Sequence, residues 1–120
     1  MLRAPLFHAV LWTSILMIGF SIPGMGLHHH AVLSPDKFAH FGGFMILAIL
    51  WLRVYPTSVG RIIVYSALFA VLSEVYQHVM PINRMFDMAD ILADLGGLLV
   101  GVRISRPLAR LKKSRESEQL

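Results

Sequence analysis

Between Ser73 and Gly101 the sequence reads SEVYQHVMPINRMFDMADILADLGGLLVG, and Glu74, Gln77, Arg84, Asp87, Asp90 and Asp94 interrupt a run that is otherwise almost entirely apolar. Asp36, Lys37 and His40 do the same further upstream. Carboxylates set beside an imidazole and two cations are suited to three tasks. They can recognise a charged head group through charge-assisted hydrogen bonds, hold a divalent cation that activates water, or clamp helices together as buried ion pairs. Each task requires the groups to converge, so the elements that carry them come next.

The 120 residues are 56% apolar and only 15% charged, a balance that leaves too few polar side chains to cover a soluble domain of this size. Mean hydropathy is positive. In hydrocarbon, a charge at the bilayer centre costs about 2.5–3.5 kcal/mol on insertion scales, so the carboxylates must lie near an interface or face protein. The chain contains no cysteine, which excludes disulfides and thiolate metal sites. Its net charge of +4 is not interleaved with stacking aromatics, so nucleic acid is not an expected partner.

Four spans of about 20 residues fit the length, and the sequence predicts them at 6–22, 38–54, 62–80 and 86–104. The predicted class is therefore all-α: a polytopic membrane protein with four transmembrane helices in a compact bundle (1–105), followed by a basic tail (106–120). The first span, after Arg3 and closed by Pro23 and Gly24, competes with a signal-peptide reading that its length disfavours. Within it His8 and Trp12 read as packing residues. His28, His29 and His30 follow, and read as a solvated loop tract in preference to a metal site.

Ser34-Pro35-Asp36-Lys37 has the form of a helix start, with a capping serine, proline at the first helical position and an acid in the first turn. Asp36, Lys37 and His40 can share a face at that helix mouth. In the third span Ala67, Ala70, Glu74 and Gln77 fall on one face, and Gln77 rather than the interfacial His78 is expected to point inward. In the fourth, at about 100° per residue, Asp87, Asp90 and Asp94 share a narrow sector that Gly97 and Gly101 continue. Those two glycines form a G-x-x-x-G packing motif. Pro107 is expected to break any helical extension into the tail.

Of the 11 Lys and Arg residues, only Lys37 and Arg84 fall outside the ends assigned to the cytoplasm, so both termini are expected there. That topology brings Asp36, Lys37, His40, Glu74, Gln77, Arg84, Asp87, Asp90 and Asp94 around one outward-facing polar cavity. The basic tail is expected to lie on the anionic cytoplasmic surface.

Asp36-Lys37-x-x-His40-Phe41, Ser73-Glu74-x-x-Gln77 and Arg84-x-Phe86-Asp87-x-x-Asp90-x-x-Asp94-x-x-Gly97 resemble the signature of the VanZ-like membrane proteins. The resemblance covers Asp36 to Gly101 and departs from the family pattern at Asp94, where asparagine is usual. It implies a small multi-span protein of the bacterial inner membrane and cell envelope, in a family whose founding member is associated with glycopeptide (teicoplanin) resistance. It implies no established reaction or cofactor.

The leading expectation is thus a non-enzymatic site for a polar or phosphate-bearing lipid head group or a lipid-linked, cell-wall-related amphiphile. A metal-assisted membrane hydrolase built on the carboxylate and histidine cluster is the alternative, although no H-E-x-x-H or G-x-S-x-G motif is present. A non-catalytic assembly subunit is the third reading, and homo-oligomerisation stays open.

Overall fold

The computed structural model describes residues 3–21, 35–79 and 88–119. Four helices account for nearly all of them: α1 (Arg3–Phe20), α2 (Pro35–Val54), α3 (Val59–Val79) and α4 (Met88–Glu118). No strand occurs among the described residues. The helix starts follow local chemistry. Pro35 opens α2 at the position where its missing N–H costs nothing. Tyr55 to Ser58 forms a turn with Pro56 in its second position, closed by the Ser58 N–H donating to the Tyr55 carbonyl at 3.1 Å. The Ser58 carbonyl then accepts from Ile62 N–H at 3.0 Å and starts α3.

α2 is the central element, touching each of the other three helices and α4 most extensively. α1 runs antiparallel to it. Trp12 Nε1 donates to the Gly43 carbonyl at 2.9 Å, Trp51 Nε1 donates to Thr13 Oγ1 at 3.0 Å, and Leu16 packs on Gly43. Trp12 is therefore a packing residue, as its sequence setting predicts. α4 runs parallel to α2, with Asp90 beside Lys37, Asp94 beside His40, Gly97 against Phe41 and Gly101 against Met45.

The glycines make that register possible. A Cβ on Gly97 would be driven into the Phe41 carbonyl oxygen, and one on Gly101 would stand 2.5 Å from the Met45 carbonyl oxygen and 2.9 Å from Ala48 Cβ. The G-x-x-x-G face thus brings two backbones together, its usual role where lipid removes the hydrophobic drive for helix association.

Burial is inverted relative to a soluble protein. Glu74, Gln77 and Asp94 are among the largest fully buried side chains, while Phe7, Ile18, Leu72 and Val79 are more than 60% exposed. Polar groups inside and apolar groups outside are what a hydrocarbon solvent selects. An apolar core of Phe20, Phe44, Leu47, Ala48, Leu98 and Val102 packs beneath the polar cluster.

Two helices are long and apolar enough to cross a membrane, α2 through Lys37–Val54 and α3 through Val59–Val79, while the apolar part of α1 is shorter, Ala4–Phe20. α4 misses the same standard because Asp90, Asp94 and Arg103 fall within its apolar stretch, although both aspartates face protein.

The basic segment differs from the expectation. α4 does not stop near Ile104 but continues through Pro107 to Glu118. At about 1.5 Å per residue, a helix of 31 residues reaches well past its neighbours, which accounts for the 57 Å long axis. Pro107 removes only the bond to the Arg103 carbonyl. The helix continues across that missing bond, as long helices can.

Candidate functional site

The parallel α2/α4 pairing sets the polar groups in two layers. The outer layer pairs Lys37 Nζ with Asp90 Oδ1 at 3.3 Å. About one helical turn deeper, His40 Nδ1 stands 2.8 Å from Asp94 Oδ1, a buried hydrogen bond in which an ionised Asp94 accepts from Nδ1–H. The two layers are joined through the imidazole, whose Nε2 is 3.9 Å from Asp90 Oδ2. Spacings of three on α2 and four on α4 are both single helical turns, which is why the two pairs stack.

α1 closes one side. The Phe20 ring stacks on the His40 ring with centroids 5.3 Å apart and planes 18° from parallel. Phe20 also meets Phe44 and Phe69, so the imidazole continues an aromatic cluster while its nitrogens point to carboxylates. α3 closes the other side with Ser73, Glu74 and Gln77, all buried. Gln77 Nε2 donates to the Phe20 carbonyl at 3.2 Å, satisfying one of the carbonyls that the end of α1 leaves without a helical partner. The Ser21 and Tyr76 hydroxyls make a second α1–α3 link at 3.1 Å.

The structure therefore brings together Lys37, His40, Asp90 and Asp94 in direct contact, with Glu74 and Gln77 buried on the adjoining face of α3. His78 is exposed. Asp36 lies in the first turn of α2, its side chain outside the described residues, as are Arg84, Asp87 and the His28–His30 tract. Gly97 and Gly101 lie below the aspartates on the same face of α4.

Sequence reasoning did not anticipate the Phe20 stack, the Trp12 and Trp51 links, or the role of Gly43. The Gly42-Gly43 pair facing a tryptophan-bearing helix was the available signal for the last. Among the described residues no three His, Asp or Glu side chains are grouped as a metal-ion site.

With this arrangement in view, comparison with known families is decisive: the VanZ/LLP1 family model matches residues 6–110. The chain belongs to the VanZ/LLP1 family. Searches of curated proteins and of solved structures gave no match. Family membership over nearly the whole chain, together with the two span-length helices, marks this VanZ/LLP1 chain as a membrane protein. The matched region holds both ion-pair layers, the Gly97 and Gly101 face and the start of the basic extension of α4.

Chemically, the cluster offers a cation at its rim and a carboxylate–imidazole–carboxylate series beneath it. The Lys37 side chain retains 11% of its accessible surface, against 4% for His40 and none for Asp94. The gradient runs from a partly open ammonium to a closed dyad. Such a series can orient a cation toward a ligand, or hold two helices in register.

Proposed function

We propose that this VanZ/LLP1 family protein recognises, without catalysing a reaction, the polar head group of a phosphate-bearing lipid or cell-wall-related amphiphile at the mouth of the α2/α4 cluster. The observation that carries this reading is the stacked pair of ion-pair layers, Lys37–Asp90 above His40–Asp94, buried within a bundle whose exterior is apolar. Buried ion pairs recover little net stability after desolvation, and an apolar pair of similar volume often serves helix packing better. Among the described residues, Glu74, Asp90 and Asp94 are buried carboxylates in the same part of the bundle as Lys37 and His40. In this reading Lys37 and Arg84 meet the phosphate, and the aspartates hold Lys37 and His40 in position.

The test is retention of a polyprenyl phosphate and of phosphatidic acid by the purified protein, followed by native mass spectrometry. One charge-assisted hydrogen bond is worth about 1.5–3 kcal/mol, so Lys37→Ala is expected to weaken retention by about tenfold or more. Arg84→Ala is expected to act in the same direction. Wild-type retention in both variants would overturn the reading. Head-group recognition is also the property through which we connect this chain to the glycopeptide resistance associated with the founding member of its family.

The same proposal includes four membrane spans in the inner membrane with both termini in the cytoplasm. Its support is the clustering of basic residues: Arg53 ends α2, Arg61 begins α3, and Arg103 and Arg106 lie in the same half of α4. Because the chain has no cysteine of its own, single cysteines report cleanly. Cysteines at Asp36 and Arg84 are expected to react with an impermeant maleimide from outside, and one at Arg115 only after permeabilisation. Labelling of Asp36 and Arg84 from opposite sides would overturn this topology.

A second reading has its own observation. Lys37–Asp90 and His40–Asp94 are direct contacts, as an internal lock in an assembly subunit would require.

A further inference from the structure

Toward the opposite end of the bundle lies a cavity of about 380 Å³ that none of the ion-pair residues lines. It opens between α1, α2 and α3, where α1 and α3 make the least contact of all the packed pairs. Leu47, Trp51, Ile62, Tyr65 and Phe69 line it, with Ser66 on the α3 side. Thr13 also lines it, but its hydroxyl already donates to the Ala9 carbonyl at 2.8 Å and accepts from Trp51. Ser66 adds one further hydroxyl, so the wall is mainly apolar, and the volume falls near the lower end of the roughly 300–1,000 Å³ range of small-ligand sites.

The mouth has the opposite character. Arg61 lines it and is exposed, and among the described residues no carboxylate forms an ion pair with it. Ser58 and Tyr55 bring hydroxyls to the same rim. Arg61 lies in the first turn of α3, where unpaired backbone N–H groups add positive potential. From Arg61 to Phe69 the wall of α3 runs about 12 Å, which suits the upper part of one acyl chain and not a whole lipid.

We propose that this cavity binds one anionic phospholipid, with an acyl chain between α1 and α3 and its phosphate at Arg61. The apolar cleft supplies affinity for hydrocarbon, and the exposed arginine at its mouth selects the charge. Trp51 in the wall supplies a direct reporter, since bromine atoms on an acyl chain quench tryptophan only at short range.

The experiment reconstitutes the full chain in phosphatidylcholine vesicles containing either dibromoacyl phosphatidylglycerol or dibromoacyl phosphatidylcholine and follows tryptophan fluorescence. Brominated phosphatidylglycerol is expected to quench at about fivefold lower mole fraction, the factor one basic residue contributes beside an anionic lipid. Arg61→Gln is expected to abolish that preference, and Ser66→Phe, which fills the cleft, to reduce quenching by both lipids. Arg103→Gln, on an exposed face of α4 away from the cavity, is expected to leave the preference in place.

Equal quenching by the two lipids in the wild-type protein would overturn the proposal. So would equal loss of preference in Arg61→Gln and Arg103→Gln, which would mean diffuse surface attraction. Undiminished quenching in Ser66→Phe, with helicity preserved by circular dichroism, would place the lipid elsewhere. Lys37→Ala is expected to leave all these readings unchanged, so failure here is separable from failure of head-group recognition at the α2/α4 cluster.

Discussion

Gly97→Val is expected to abolish assembly of the bundle, whereas Gly42→Ala and Gly60→Ala leave it folded and slightly more stable. A side chain at Gly97 meets the backbone carbonyl of Phe41, which cannot rotate away as a flexible side chain could. Overpacking against movable side chains costs about 1–3 kcal/mol. Against the backbone of a paired helix, the only relief is to separate α4 from α2, which would part Lys37 from Asp90 and His40 from Asp94. Gly101→Val is expected to act in the same direction, with Met45 oxygen at 2.5 Å and Ala48 Cβ at 2.9 Å from the new Cβ.

Gly42 and Gly60 provide internal controls, because a Cβ at either meets nothing within 4 Å. There alanine is expected to contribute about 0.5–1 kcal/mol by reducing the freedom of the unfolded chain and favouring helix. The measurement is the midpoint of thermal unfolding in detergent micelles, followed by tryptophan fluorescence. A Gly97→Val protein that purifies as a monodisperse species with a wild-type midpoint would show that α2 and α4 do not pack through this face.

The glycine face also marks how far the sequence could be read. A stripe of Asp90, Asp94, Gly97 and Gly101 is visible from the helical period alone, because charge and missing side chains both demand a protein neighbour. The same logic selects Gln77 over His78 on α3. The identity of the neighbour was not legible at that level. Helical period fixes which face of a helix is buried, but parallel pairing of α2 with α4 depends on where the whole chain turns.

Once that pairing is known, the i, i+3 spacing of Lys37 and His40 meets the i, i+4 spacing of Asp90 and Asp94 without adjustment. The stacking of Phe20 on His40 was hidden for a related reason: the few polar residues of α1, His8, Thr13 and Ser14, do not form a stripe that identifies its inner face. Pro107 misled in the other direction. Proline is a strong local signal against helix, yet it removes a single hydrogen bond, a loss that a long helix can absorb.

Asp94→Leu is expected to be among the most destabilising single substitutions in the bundle, and its magnitude reports the charge of His40. If the imidazole is neutral, the loss is that of one buried hydrogen bond, about 1–3 kcal/mol. If it is an imidazolium, removing its closest counter-ion strands a buried charge and costs about 3–5 kcal/mol. Asp94→Asn retains an acceptor for Nδ1–H and is expected to lose less in either case.

Combining Asp94→Leu with His40→Phe removes both partners. It also places a ring where Phe20 and Phe44 already form an aromatic cluster, so most of the lost stability is expected to return. That double variant separates the two readings of the site. If the pair is a lock, restored stability should bring back wild-type retention of polyprenyl phosphate and phosphatidic acid. If the pair positions groups for a head group, the protein should fold normally and still fail to retain those lipids. Recovery of both properties in the double variant would therefore count against head-group recognition even where Lys37→Ala had weakened binding.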